Sequence, residues 1–312
     1  MPTEPDLASP TIPDSDTPTV APTASSQATS SVPTVKRRRA LARFGVLFWF
    51  SVGWLSLVVL AAVIAPLLPL PDPAAQDYGA IAAPPGTPGH PLGTDGLGRD
   101  LLSRAIYGAR ISLVVTLGAV TIGMVVGGFF GMIAGYFRGV ADRIIVACTD
   151  ALMAFPALVL LLALMATLGQ SARNLIIGLG ILGIPGFVRL TRANTLVYTQ
   201  REFVLAARAL GASNGRILLR EILPNVLPAV GAYAFLVIAL LIVAEGSLSF
   251  LGVGVPPPAS SWGLMISEGR DTLLQTPWVS FIPSVFMFLT VLSFNLIGDR
   301  LREESDIREA TL

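Results

Sequence analysis

The chain has 312 residues, of which 53% are hydrophobic and 13% charged, with a net charge of +1. That balance is too apolar for a soluble domain and describes a protein that crosses a membrane several times. Its scattered arginines do not make the concentrated basic surface that nucleic-acid phosphates require, and a single cysteine (Cys148) with a single histidine (His90) excludes an intrachain disulfide and any Cys- or His-based metal cluster.

Met1 to Val35 is rich in Pro, Thr, Ser and Ala without apolar periodicity, a composition that buries too little surface to offset the entropy of ordering. With Lys36, Arg37, Arg38, Arg39 and Arg43 it reads as a disordered cytoplasmic tail over residues 1–43. The uncharged run 44–68 that follows is long enough to span a bilayer, which needs about 20 apolar residues, and the preceding positive charge keeps that end inside. A cleaved signal peptide fits less well, because the basic cluster is far from the start and the run exceeds a signal core.

Residues 69–98 are dense in Pro and Gly and should form an irregular external segment. In GTDGLGRDLLSRAIYGARISL, from Gly93 to Leu113, Asp100 is placed to cap or charge a helix start, and Arg99, Arg104 and Arg110 are expected at the membrane interface. Residues 69–110 thus read as an extracytoplasmic segment with an interfacial helix leading into a core over 111–301.

The second span, 111–137, carries Gly123, Gly127, Gly131 and Gly135 at every fourth position, a smooth stripe on one helix face. Small residues at that spacing suit close helix packing, with a pore lining as the alternative. Arg138, Asp142 and Arg143 make a short inner loop, and the third span, 144–168, is interrupted by Asp150 and Pro156. Cys148 within it reads as a small buried hydrophobe. The fourth span, 174–190, is short and contains Gly178, Gly180, Gly183, Pro185 and Gly186, so it should be bent or tightly packed.

Between that span and the fifth, 228–251, lies the only long charged interior segment, Arg201 to Pro228. Phe203, Ala206, Ala207 and Leu210 fall at helical spacing, so a helix should end at Gly211, which supplies the backbone freedom of a turn. After Ala212, Ser213 and Asn214 suit the cap of a second helix. That helix would carry Ile217, Leu218 and Ile222 on one face and Arg216, Arg220 and Glu221 on another, ending near Leu223 and Pro224. An outer loop with Pro256, Pro257, Pro258 and Trp262 precedes the sixth span, 278–297, and Arg300, Arg302 and Arg308 hold the C-terminal tail, 302–312, inside.

With these spans most arginines, and the sole lysine, fall on inner segments, which places both termini and the 201–228 loop in the cytoplasm. The expected fold is all-α, a polytopic membrane protein of six transmembrane helices.

The 201–228 loop resembles the cytoplasmic coupling loop of binding-protein-dependent ABC importer permeases. Their signature is Glu-Ala-Ala, three residues, Gly, nine residues, Ile, one residue, Leu-Pro. Ala206, Ala207, Gly211, Leu223 and Pro224 match; Leu205 stands in place of the Glu and Glu221 in place of the Ile. RLTRANTLVYTQREFVLAARALGAS before the turn and EGSLSFLGVGVPPPASSWG after it resemble the dipeptide, oligopeptide and nickel branch, specifically its C-type permease. The plainer reading of a basic amphipathic helix pair is a solvated loop at the membrane surface.

The resemblance implies the type I importer transmembrane fold, no covalent chemistry in this chain, and a path for peptides, nickel or related small solutes. It also implies a homologous second permease, two ABC ATPase subunits carrying ATP and magnesium, and an extracytoplasmic solute-binding protein. Lys36, the only lysine, is not part of a Gly-Lys-Ser/Thr phosphate loop, so no cofactor is expected on this chain and energy must come from another polypeptide. Asp150 and Glu245 are acids within spans; each should serve a hydrogen bond or ion pair between helices rather than touch solute. Two other classes compete. An ion-gradient transporter or channel could use those acids but leaves the glycine-hinged loop without a purpose. An intramembrane hydrolase lacks paired catalytic groups.

Overall fold

The computed structural model describes residues 45–309, with side chains through Glu304. The expected tail over 1–43, with its basic cluster, and the last three residues lie outside them. Every regular element among the described residues is helical: α1 (Val46–Ile64), α2 (Leu101–Phe137), α3 (Gly139–Met153), α4 (Ala157–Leu168), α5 (Ala172–Tyr198), α6 (Glu202–Ala209), α7 (Asn214–Arg216), α8 (Leu223–Phe250), α9 (Trp262–Glu268) and α10 (Pro277–Glu309). Five helical rods are long and apolar enough to cross a membrane, and α3 with α4 makes a sixth span only as a pair bent by 85°. The break falls at Pro156, which cannot donate to the ladder and follows Phe155, a residue that a succeeding proline pushes out of the helical region.

Several boundaries differ from the expected spans. α2 starts at Leu101, not Ile111, so the expected interfacial helix and the second span are one rod. α5 reaches Tyr198 despite Pro185, and α10 extends through most of the expected C-terminal tail. The helix after Gly211 does not stop at Leu223 and Pro224 but runs on from Asn214 to Phe250.

That continuity rests on a π-helical turn over Ile217–Ile222, in which the Leu223 amide donates to the Leu218 carbonyl, five residues back. The wider turn comes just before Pro224, which has no N–H to offer and whose ring would crowd a tight α turn. Asn225 donates its side-chain amide to the Glu221 carbonyl at 2.6 Å, covering an acceptor in the disturbed ladder.

The bundle is organised about the α2–α5 pair. A Cβ placed on Gly131 would stand 2.7 Å from both the Thr191 Cβ and the Val188 carbonyl oxygen, and one on Gly135 would stand 2.7 Å from the Thr195 Cβ. Gly127 is as close to Phe187 and the Ile184 carbonyl, and Gly123 faces Gly183 and the Phe187 ring. The glycine stripe therefore lies backbone to backbone against α5. α1 packs on α10, where the Trp54 indole donates to Thr290 Oγ1 at 3.1 Å.

At the Trp262 end, residues 69–100 form turns without regular elements apart from isolated bridges. Arg99 and Arg104, expected at the interface, are instead buried in an ion network, while Arg110 is exposed. Arg104 bonds Glu268 at 2.7 Å and also Asp95; Arg99 bonds Asp95 at 2.7 Å and Glu268 at 2.9 Å. Each guanidinium finds two carboxylates, the condition under which burying a charge is tolerable. Cys148, expected to be buried, is exposed on α3, a helix that its own chain covers on one side only.

Asp100 caps α2 by accepting from the Ser103 amide at 2.7 Å, and its other oxygen lies 2.9 Å from His90 Nδ1. His90 Nε2 faces Asp77 at 3.4 Å. The Asp100 hydrogen bond, aided by Asp77, raises the His90 pKa above its ordinary 6.5 against the opposing pull of burial. The Gly79 amide and His90 hold the Asp77 carboxyl low. A raised histidine pKa contributes stability that is complete below the unfolded value and lost as pH rises through the folded one. Protection factors over residues 77–100, which remove the intrinsic pH dependence of exchange, should therefore fall as pH rises above the ordinary 6.5, and His90→Asn should flatten that dependence. An unchanged profile in the variant would contradict the assignment.

Candidate functional site

The turn at Gly211 is a Schellman motif. Gly211 has φ +80°, its amide bonds the Arg208 carbonyl at 3.0 Å, and the Ala212 amide bonds the Ala207 carbonyl at 3.0 Å. Only a residue without Cβ reaches that φ without strain, which is why α6 ends there. Ser213 occupies the cap position of the next helix but makes no side-chain cap bond. Asn214 Oδ1 instead accepts from the Tyr136 hydroxyl at 2.8 Å. The Arg208 guanidinium lies 5.8 Å from the centre of the same ring. Tyr136, at the end of α2, thus touches both limbs of the turn.

α6 buries Val204 against its own chain and leaves Phe203, Ala206 and Leu210 exposed, with Ala207 half-buried. Leu210 is 88% exposed. Beyond the turn Ile217 and Ile222 are fully buried and Leu223 half-buried, while Pro224 is exposed. The seating of the loop therefore comes from Val204, Ile217 and Ile222, and its tip presents an uncovered leucine.

Glu245, near the far end of α8, is fully buried. Its Oε2 accepts from Ser112 of α2 at 3.0 Å and its Oε1 from Ser249 at 2.8 Å. Ser249 is in turn 3.3 Å from Ser261, whose hydroxyl caps α9. The carboxyl thereby joins α2, α8 and α9 where Gly246 and Gly263 bring the last two into backbone contact. Asp150 is half-exposed and pairs with Arg189 of α5 at 2.7 Å, a contact worth about 0–1 kcal/mol in a screened setting. The better-shielded tie between α3 and α5 is Asp142 with Arg192, at 2.7 Å through Nη2.

A cavity of about 590 Å³ opens at the α3–α4 bend and is walled by α5 and α8, including Phe155, Leu161, Gly186, Tyr233 and Leu240. Sequence reasoning missed Tyr136, Tyr233 and the serines around Glu245. None has a local pattern, since each acquires its role from a distant segment. Among the described residues no group of three or more His, Cys, Asp or Glu side chains could hold a metal ion.

A helical turn presented outside a bundle of apolar spans, with a cavity among those spans, is an arrangement that suits a transport subunit. Residues 127–306 match the profile of the binding-protein-dependent transport system inner membrane component, and the chain belongs to that family. It is 42% identical over 230 residues to the glutathione transport system permease protein GsiD of Pectobacterium atrosepticum, covering 74% of this chain and 76% of the relative. A Brucella suis biovar 1 protein provisionally named a peptide transport system permease is 41% identical over 254 residues, covering 81% and 85%. Among solved structures, an inward-facing MetNI methionine ABC transporter chain superposes with TM-score 0.55 at 19% identity, covering 65% of this chain and 96% of that one. The chain is thus an ABC importer permease with the type I importer fold. Family membership sets aside the ion-gradient transporter and the intramembrane hydrolase.

Glu245→Leu should cost about 1–3 kcal/mol, because the Ser112 and Ser249 hydroxyls lose their buried acceptor. Glu245→Gln, which keeps one acceptor oxygen, should lose less. Thermal unfolding of the detergent-purified chain checks this, and equal melting of the two variants would show that the polarity of this site is unimportant.

Proposed function

We propose that this chain supplies one half of a solute path for peptides or peptide-like molecules such as glutathione, and that the 201–228 loop is where partner ATPases drive it. The observation that carries the docking role is Leu210, 88% exposed at the tip of a rigid turn. With Phe203, Leu205 and Ala206 also exposed on α6, it makes an apolar patch, which supports a protein contact. The loop's three buried anchors and the Tyr136 clasp mean that a push on the patch is delivered to α2 and to the 214–250 rod rather than absorbed locally.

The names of the GsiD relatives support glutathione or a peptide as the cargo, and the chain's own arginine distribution supports cytoplasmic termini and loop. In this reading ATP and magnesium reside on two ABC ATPase subunits, a homologous second permease completes the path, and an extracytoplasmic solute-binding protein delivers the cargo. ATP-driven closure of the ATPases would tilt the spans and expose the path to each side in turn.

Leu210→Asp should reduce copurification of the ATPase at least about tenfold, since it puts a charge at the centre of an apolar contact. Gly211→Val should misdirect the following helix at a local cost of about 1–3 kcal/mol. Both variants should insert normally into the membrane, because the spans are untouched. Wild-type ATPase recovery and solute uptake in both would overturn the docking assignment.

A further inference from the structure

The cavity at the α3–α4 bend is walled by apolar side chains, Gly and Pro, with one exception, Tyr233. No charged side chain lines it; the Asp150–Arg189 pair lies outside its wall. The Tyr233 ring stands edge-on to Phe187, with centroids 5.1 Å apart and planes at 79°, so its direction is set by packing. Its hydroxyl lies against Gly186, where any side chain would collide with it. Among the described residues that hydroxyl meets no hydrogen-bond partner.

Gly183 and Gly186 lie near the middle of α5, and Tyr233 lies on the apolar part of the 214–250 rod beyond Pro228. A lipid chain filling the cavity would offer the Tyr233 hydroxyl no acceptor. The volume is within the roughly 300–1,000 Å³ range of small-molecule sites. A charged occupant would find no counter-charge there, and desolvating it would be costly.

We propose that this cavity is a solute subsite for an uncharged, largely apolar group with one hydrogen-bond acceptor, which Tyr233 contacts. For a peptide this means an apolar side chain with the adjoining backbone carbonyl. The inference rests on the importer reading and adds the residue and the selectivity by which this half of the path meets its cargo.

The test uses the complete transporter in nanodiscs and a tripeptide carrying p-benzoylphenylalanine between two glycines. Irradiation should label residues 152–161 or 233–244. Excess Gly-Phe-Gly should suppress the label and excess Gly-Lys-Gly should not. Tyr233→Phe, which keeps the ring and its packing, should raise the Gly-Phe-Gly concentration needed for half-suppression by about fivefold, the equivalent of one hydrogen bond of roughly 1 kcal/mol. Labelling elsewhere, equal competition by the lysine peptide, or an unaltered Tyr233→Phe curve would overturn the subsite. If ATP-driven peptide uptake by the same preparation persisted alongside such a result, the importer reading would stand and only the subsite would fall.

Discussion

Between α2 and α5 the two backbones meet with almost no side chain between them, and the rest of the bundle takes its positions from that contact. Inside a membrane, helices gain little from hiding apolar surface from one another, because lipid is equally apolar. Close packing must supply the attraction instead, and glycine at every fourth position of α2 is what permits it. Gly127, Gly131 and Gly135 each meet a carbonyl or Cβ of α5 at a distance that excludes even a methyl group. α2 is thereby fixed along most of its length, which gives the groups at its two ends, Asp100 and Ser112 at one and Tyr136 at the other, a rigid mount.

The second long rod connects the same two ends. From Asn214 to Phe250 the helix passes through one π turn and two prolines without losing continuity. It starts beside Tyr136 and ends near Glu245, where the Ser112 bond returns it to α2. A displacement of the Gly211 turn therefore has two stiff routes into the membrane, one through the Tyr136 clasp and one along the rod. The π turn is the place where the second route is least regular, and a register change there would rotate the turn relative to the span. The cavity at the α3–α4 bend abuts the second of these routes, against the wall formed by α5 and α8.

What is legible in the sequence is what depends on neighbours a few residues away. The Asp100 cap, the Gly211 turn, the period-four glycines and the Pro156 break all follow from local backbone chemistry, and the apolar runs follow from bilayer thickness. What is illegible depends on segments that meet only in the fold. Arg104 reads as an interfacial arginine until Glu268, 164 residues later, reaches it. Cys148 reads as buried because its run is apolar, yet an apolar run inside a bilayer can face outward. The helix ending expected at Pro224 fails because a π turn, which no local pattern announces, absorbs the proline. Tyr136 and Tyr233 carry no pattern of their own, and each matters for what it touches across the bundle.

The central claim is that the Gly211 turn is the surface through which ATPase subunits act on this chain, and amide hydrogen exchange over residues 202–216 tests it most directly. Compared with the permeases alone, the full transporter should show slower exchange at α6 and the turn, with a smaller effect continuing into Ile217–Ile222, and a Leu210→Asp chain should show neither. Unchanged exchange across 202–216 on assembly with the ATPases, with protection appearing on another surface instead, would contradict the account.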